Sequence, residues 1–152
     1  MDLDDQRARL FELFNEIHII QQLATTEFNR RLPEGLHVSH FAVINHLCRL
    51  GDGRTPLQLA SAFQVTKPTM THTLTQLGTR GFVDVRANPA DGRSKLVYIT
   101  AAGRAFRETA IASLNPTLDA MADDLDLPAL LSLLPQLATL RRYLDTARDV
   151  GP

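Results

Sequence analysis

The chain has one cysteine, Cys48, in 152 residues, so no internal disulfide can form and a cysteine-rich zinc framework is excluded. No apolar run exceeds four residues (41–44 and 96–99), against about 20 for a membrane span and about 7 to 15 for the apolar stretch of a signal peptide. The N-terminus, Met1-Asp2-Leu3-Asp4-Asp5, is acidic where a secretory signal is basic. The expected compartment is therefore the cytoplasm, with no membrane partner. Repeats and low-complexity tracts are absent, as are a glycine-rich phosphate loop, a serine nucleophile elbow and a His-Glu metal helix. These absences argue against an enzyme; no catalytic residue, cofactor or resident metal is expected. What remains is ordinary globular composition, 44% hydrophobic and 22% charged, enough to bury a core in one domain spanning 1–152.

Net charge is only −1, but its distribution is uneven. Residues 1–53 carry five Lys and Arg against eight Asp and Glu, and residues 108–152 carry three against seven. Between them, 54–107 hold eight basic residues and only two acids, Asp84 and Asp91. Phosphate contacts need local positive potential rather than a basic whole, so this pattern suits a centre that meets a polyanion.

Leu10, Phe14, Ile17, Ile20, Ala24 and Phe28 recur three or four apart, predicting a helix from about residue 5 to Arg31 that Pro33-Glu34-Gly35 stops. A second helix, with Ser39 placed to cap it, carries Phe41, Ile44, Leu47 and Cys48 to Gly51. Thr55-Pro56-Leu57-Gln58 combines an N-cap, a first-turn proline and a capping-box glutamine, opening a short helix that ends near Phe63. Thr66-Lys67-Pro68 opens another, with Met70, Leu74 and Leu77 inward and Gly81 closing it. Residues 82–86 and 96–100 read as paired strands around a long hairpin, 87–95, holding Pro89 and Asp91-Gly92. Helical patterning returns from Ala101, with a kink or boundary expected at Pro116 and at Pro135 and a turn over 123–128.

Helix, tight turn, helix, strand, hairpin, strand is the order of a winged helix-turn-helix, in which the second helix of the pair enters the major groove. Thr69, His72, Thr73, Gln76 and Arg80 fall within one arc of about 100° on that helix, and all can hydrogen-bond base edges or phosphates. Free N–H groups at Thr66 and Lys67, ahead of Pro68, add a phosphate site. Arg86, Arg93, Ser94 and Lys95 gather on the hairpin; Arg93 is the phosphate or minor-groove candidate. Asp91 is expected to hold Arg93 or to cap the turn.

In order along the chain, Leu57-x-Leu59-Ala60, Val65-Thr66-x-x-Thr69-Met70-Thr71-x-x-Leu74-x-x-Leu77, Arg80-Gly81-Phe82-Val83, Asp91-x-Arg93 and Val97-Tyr98-Ile99-Thr100-x-x-Gly103 resemble the MarR family of bacterial transcriptional regulators. The resemblance implies a mainly α fold with a small β-hairpin wing: a winged helix-turn-helix lobe, 36–103, with dimerisation helices at 1–33 and 104–150. It also implies a homodimer on a palindromic double-stranded DNA operator, acting as a repressor, often with a small-molecule effector that weakens binding. Carried over, Thr69, Thr71, His72 and Gln76 would meet DNA, with Asp91 and Arg93 as the wing pair. Positions 72 and 76 often hold Arg or Lys in the family, and Gly78 interrupts the helix here at a cost of about 1 kcal/mol relative to alanine. The leucine-rich terminal segments, with more apolar stripe than a small lobe covers, point independently to dimerisation.

An effector site would lie between the first two helices and the wing, where Phe14, His18, Phe41, Asn45 and Arg86 supply walls and anchors. Two alternatives differ in kind: a winged-helix module that binds protein rather than DNA, and a metal- or redox-responsive sensor of the same fold. The second would use His37-x-x-His40, His46-x-Cys48 and His18. His46 and Cys48, two apart on a helix, point in different directions, and Cys48 sits on the apolar stripe with no basic activator evident from its neighbours.

Overall fold

The computed structural model describes residues 2–149; residues 1 and 150 of the expected dimerisation segments lie outside them. The chain divides into two compact units at Leu114/Asn115, so the helix after the hairpin goes with the helices and hairpin that precede it rather than with the C-terminal segment.

α1 (Leu3–Arg31) starts on Asp2, with Asp4 and Asp5 in its first turn and Arg30 and Arg31 in its last, complementing the helix dipole at both ends. Of its apolar stripe only Phe28 is buried, against the edge of Phe41 at 4.7 Å; Leu10 is 53% exposed and Ile20 61%. α2 (Val38–Leu50) begins before the cap expected at Ser39: His37 is the N-cap, and Asn29 Oδ1 of α1 accepts the Val38 N–H at 2.7 Å. Asn29, nine positions upstream, and the His40 ring, which accepts the His37 N–H at 3.0 Å, thus set the start of α2; a search for Ser or Thr caps overlooks a histidine pair and places the cap two residues late.

α3 (Pro56–Phe63) realises the capping box, with Thr55 Oγ1 accepting from Gln58 N–H at 3.1 Å and Gln58 Oε1 accepting from Thr55 N–H at 2.9 Å. Gln64, at φ 53°, turns the chain, and α4 (Lys67–Thr79) follows at once, capped by Thr66 and ended at Gly81, φ 74°. β1 (Val83–Ala87) and β2 (Lys95–Ile99) pair antiparallel, Val83 opposite Ile99 and Ala87 opposite Lys95. Arg54 adds a third short rung by bridging Val97, and Asp52 Oδ1 accepts the Ile99 N–H at 2.7 Å. The segment before α3 therefore anchors the wing root.

Ile44 and Leu47 of α2, Leu59 of α3, Leu77 of α4 and Val97 of β2 are all fully buried. One core thus holds the helix pair and the wing in fixed register. α5 (Ala101–Ala112) leaves the wing through a Thr100 cap, and Phe106 stacks on Phe82 with ring centroids 4.7 Å apart. Asn45 Oδ1 accepts from Arg107 Nε at 2.9 Å, tying α5 to α2.

In the second unit, α6 (Asn115–Asp124), α7 (Leu127–Leu131) and α8 (Leu134–Asp149) each begin one residue before a proline: Pro116, Pro128 and Pro135. Proline there costs no hydrogen bond, so each marks a boundary and not a kink. Asp126 caps the added short helix α7 by accepting the Ala129 N–H at 3.1 Å. Leu118, Met121, Leu130, Leu137 and Leu144 are exposed. No helix among the described residues is long and apolar enough to cross a membrane.

Gly103 is the tightest glycine among the described residues. A Cβ there would run into the Phe82 carbonyl oxygen and lie 2.9 Å from Ile99 Cγ1. Gly103→Ala is expected to cost about 1–3 kcal/mol through overpacking, read as a lower urea midpoint with unchanged m-value.

Candidate nucleic-acid interface

Burial of Met70, Leu74 and Leu77 sets how α4 is rotated. Its remaining surface then divides into an outward pole and two flanks. His72 stands exposed at the pole, and Thr69 is exposed at the start of the flank beside it. The arc singled out in sequence extends from there onto the flank facing α2, where Thr73 and Gln76 are half-buried. Gln76 Oε1 lies 2.6 Å from Nε2 of the buried His40, and Arg80 donates from Nη2 to the Glu34 carbonyl in the turn before α2. Arg80 thus fastens the end of α4 to the α1–α2 turn. The Thr73 hydroxyl donates to Thr69 O at 3.1 Å, leaving its oxygen to accept only.

The other flank faces the wing. Lys67, Thr71, Thr75 and Gly78 line one wall of a groove of about 840 Å³, and Asn88, Asp91, Arg93, Ser94 and Lys95 line the other, with Thr55, Pro56 and Leu57 at one end. Thr71, outside the polar arc, is therefore a groove residue. Thr75 and Gly78 were missed, although Lys67, Thr71 and Thr75 recur at intervals of four, a signal available in the sequence. A Cβ at Gly78 would meet nothing within 4 Å, so the missing side chain widens the groove rather than relieving a clash.

At the helix start, Thr66 Oγ1 accepts the Thr69 N–H at 3.3 Å. Pro68 has no N–H to offer, which leaves the N–H groups of Thr66 and Lys67 without a partner among the described residues. At the wing tip Asp91 caps the turn: its Oδ1 accepts the Arg93 N–H at 3.0 Å, and its carbonyl accepts the Ser94 N–H at 3.1 Å. Ser94 is held inward, its hydroxyl accepting from Asn88 Nδ2 at 2.9 Å. The side chains of Arg93, Lys95, Lys67 and His72 are exposed and make no ion pair among the described residues. Arg86 differs: it pairs with Asp84 at 2.8 Å and lies 4.5 Å over the Tyr98 ring, and the hydrogen bond to Asp84 raises its pKa further. It belongs to the strand face and not to the cationic tip.

None of the five residues expected to frame an effector site lines the groove between α4 and the wing. Phe14 and His18 are exposed on α1, Phe41 packs on Phe28, Asn45 is bonded to Arg107, and Arg86 is fixed over Tyr98. No three His, Cys, Asp or Glu side chains cluster at metal-binding distance among the described residues. His40 Nδ1 accepts the His37 N–H at 3.0 Å, so one nitrogen of that pair is already used. Cys48 does have a cation beside it, Arg104 Nη1 at 4.0 Å from Sγ, a neighbour 56 positions away that local sequence could not disclose.

Residues 34–94 match the model of the MarR family. The transcriptional regulator BldR from Sulfolobus solfataricus is 25% identical with a TM-score of 0.70, over 91% of this chain and 99% of that one. A cysteine-to-serine mutant of E. coli MarR, solved in complex with operator DNA, is also 25% identical, with a TM-score of 0.67 over 92% and 99%. Bordetella bronchiseptica BpsR, whose DNA binding is regulated by 6-hydroxynicotinic acid, shares the fold at 20% identity and a TM-score of 0.69, over 86% and 98%. Residues 34–94 are thus similar to the winged helix-turn-helix lobe of the MarR family, and the chain shares the mainly helical fold of solved transcriptional regulators of that family.

His46 packs against Phe63 with ring centroids 5.3 Å apart; burial, then Arg54 and Arg49, lower its pKa from the usual 6.5. Its neutral form is favoured by folding, so this contribution is complete above pH 6.5 and lost as pH falls through the lowered value. His46→Gln is expected to flatten the acid side of a plot of urea midpoint against pH.

Proposed function

We propose that the protein is a sequence-specific, double-stranded-DNA-binding transcriptional repressor that acts in the cytoplasm as a homodimer on a palindromic operator. The observation that carries the reading is the groove between α4 and the wing: both walls present side chains with unspent hydrogen bonds or charge, and the segment that builds it is the basic part of an otherwise acidic chain. In this reading α4 enters the major groove, with Thr69, Thr71, His72, Thr73 and Gln76 at base edges or phosphates. The Thr66 and Lys67 N–H groups meet a phosphate where Pro68 starts the helix. Arg93 and Lys95 take the adjacent backbone or minor groove, while Asp91 and Ser94 hold the tip that presents them. Arg80 and Arg86 support α4 and the wing. Repression follows from occupancy: an operator covered by two lobes is closed to polymerase.

Dimerisation is supported by the apolar surface of both terminal segments. Leu10, Phe11, Ile20 and Leu23 on α1, and Leu130, Leu134 and Leu144 in the C-terminal unit, are too exposed to be left in water. A two-fold pair of lobes requires half-sites about 10 base pairs apart centre to centre, or a multiple. A small-molecule effector that weakens DNA binding is proposed from the likeness to BpsR, with Phe14, His18, Phe41, Asn45 and Arg86 as its candidate contacts, apart from the groove that meets DNA.

Fluorescence anisotropy against the chain's own upstream intergenic duplex and a scrambled one, across a salt series, tests the reading. A preference of about a hundredfold with a steep salt dependence is expected; equal, weak binding of both duplexes would sink it. Arg93→Ala should weaken binding to all duplexes and reduce the slope of log affinity against log salt by about 1. Ile20→Asp combined with Leu23→Asp should shift sedimentation to a monomer and abolish the advantage of two correctly spaced half-sites over one.

A further inference from the structure

Gln76 meets DNA only in the reading above, and the following rests on it. Glutamine ordinarily recognises adenine with both ends of its amide, the oxygen accepting from N6 and the nitrogen donating to N7. That contact requires both atoms to be turned to the base.

Here the oxygen is committed elsewhere. His40 is 4% exposed, on the inner side of α2. Its Nδ1 accepts the His37 N–H at 3.0 Å, so the ring proton must sit on Nε2. Nε2 can then only donate, and the atom 2.6 Å away has to be the acceptor, Gln76 Oε1. The tautomer and the amide orientation are thus set together by one backbone N–H. The amide nitrogen keeps both protons and has no partner among the described residues.

We propose that His40, buried beneath the recognition helix and out of reach of DNA, is a specificity-determining residue: it withholds the Gln76 amide oxygen, so Gln76 reads the operator as a donor alone. A two-proton donor matches guanine, which offers N7 and O6, and thymine O4. Adenine offers N7 beside an N6 amino group that now goes unmatched, and cytosine offers only a donor. The position facing Gln76 is therefore specified as guanine or thymine, against the adenine that a glutamine would ordinarily select.

The test is selection of bound duplexes from a pool randomised over operator length, with the recovered sequences compared between the unmodified protein and three variants. The unmodified protein should enrich guanine or thymine at one position per half-site, and Gln76→Leu should erase the preference at that position alone. His40→Phe, which fills the site without a donor, should release the oxygen and move the preference toward adenine by tenfold or more. Gln76→Glu keeps the bond from His40 Nε2–H, leaves the fold untouched and presents an acceptor, so it should switch the position to cytosine even if His40→Phe fails to fold. An adenine preference in the unmodified protein overturns the proposal, as does a guanine or thymine preference that survives His40→Phe. If Gln76→Leu changes no position while specific binding persists, the proposal fails and the repressor reading stands. A pool that shows no enrichment with the unmodified protein overturns both.

Discussion

The burial of Met70, Leu74 and Leu77 is the constraint on which the candidate interface depends. A helix of thirteen residues has no rigid orientation of its own; it takes one from the side chains it removes from water. Leu77 is fully enclosed with Leu59, Ile44 and Val97, so three other elements agree on where it sits. Rotating α4 by one residue would expose that leucine and bury a threonine or Gln76, and emptying such a site costs about 2–5 kcal/mol. Against that penalty, surface interactions of α4 can adjust but cannot re-aim the helix.

The capping signals at Thr55 and Thr66 were legible in the sequence because each depends on residues within four positions of one another, and the strand pairing because two β-prone runs flank a single hairpin loop, with Ala87 opposite Lys95 at its root. The start of α2 was not, since its cap is a histidine pair, His37 and His40, in place of the usual Ser, Thr, Asp or Asn, and Asn29 of the preceding helix takes the Val38 N–H. The same limit applies to the site. A helical wheel found a polar arc, but polarity alone does not separate a residue that waits for DNA from one already bonded inside the protein. Gln76 and Arg80 are of the second kind through His40 and Glu34, 36 and 46 positions away. Thr75 had the right spacing and went unnoticed because threonine every fourth residue looks like an ordinary solvated face until a wing is set against it.

The wing shows how an acidic residue serves a cationic tip. Asp91 would oppose a phosphate if its carboxylate were unengaged and outward. Instead Oδ1 takes the Arg93 N–H, and the Asp91 carbonyl takes the Ser94 N–H, so the turn closes around Asp91 and leaves the Arg93 and Lys95 side chains outside it. Arg86 shows the opposite arrangement: a cation of the same segment, paired by Asp84 and stacked on Tyr98, adds to the strand face and little to the field beyond it. Counting basic residues in the central segment therefore overstates what a polyanion would meet.

The two flanks of α4 consequently have different capacities. On the wing side, Lys67 and the threonines face open space across from unpaired Arg93 and Lys95, and charges of this kind attract any duplex regardless of sequence. On the α2 side, Gln76 has spent its amide oxygen on His40, whereas the hydroxyls of Thr73 there and of Thr75 on the wing side each donate only to the helix's own backbone one turn back. A side chain with one function spent is more restricted in the base edges it accepts, and its remaining atoms are held in one orientation. In the proposed reading affinity and discrimination fall on opposite sides of a single helix, and Gln76, the side chain that would set discrimination, is the one tied to the core through His40.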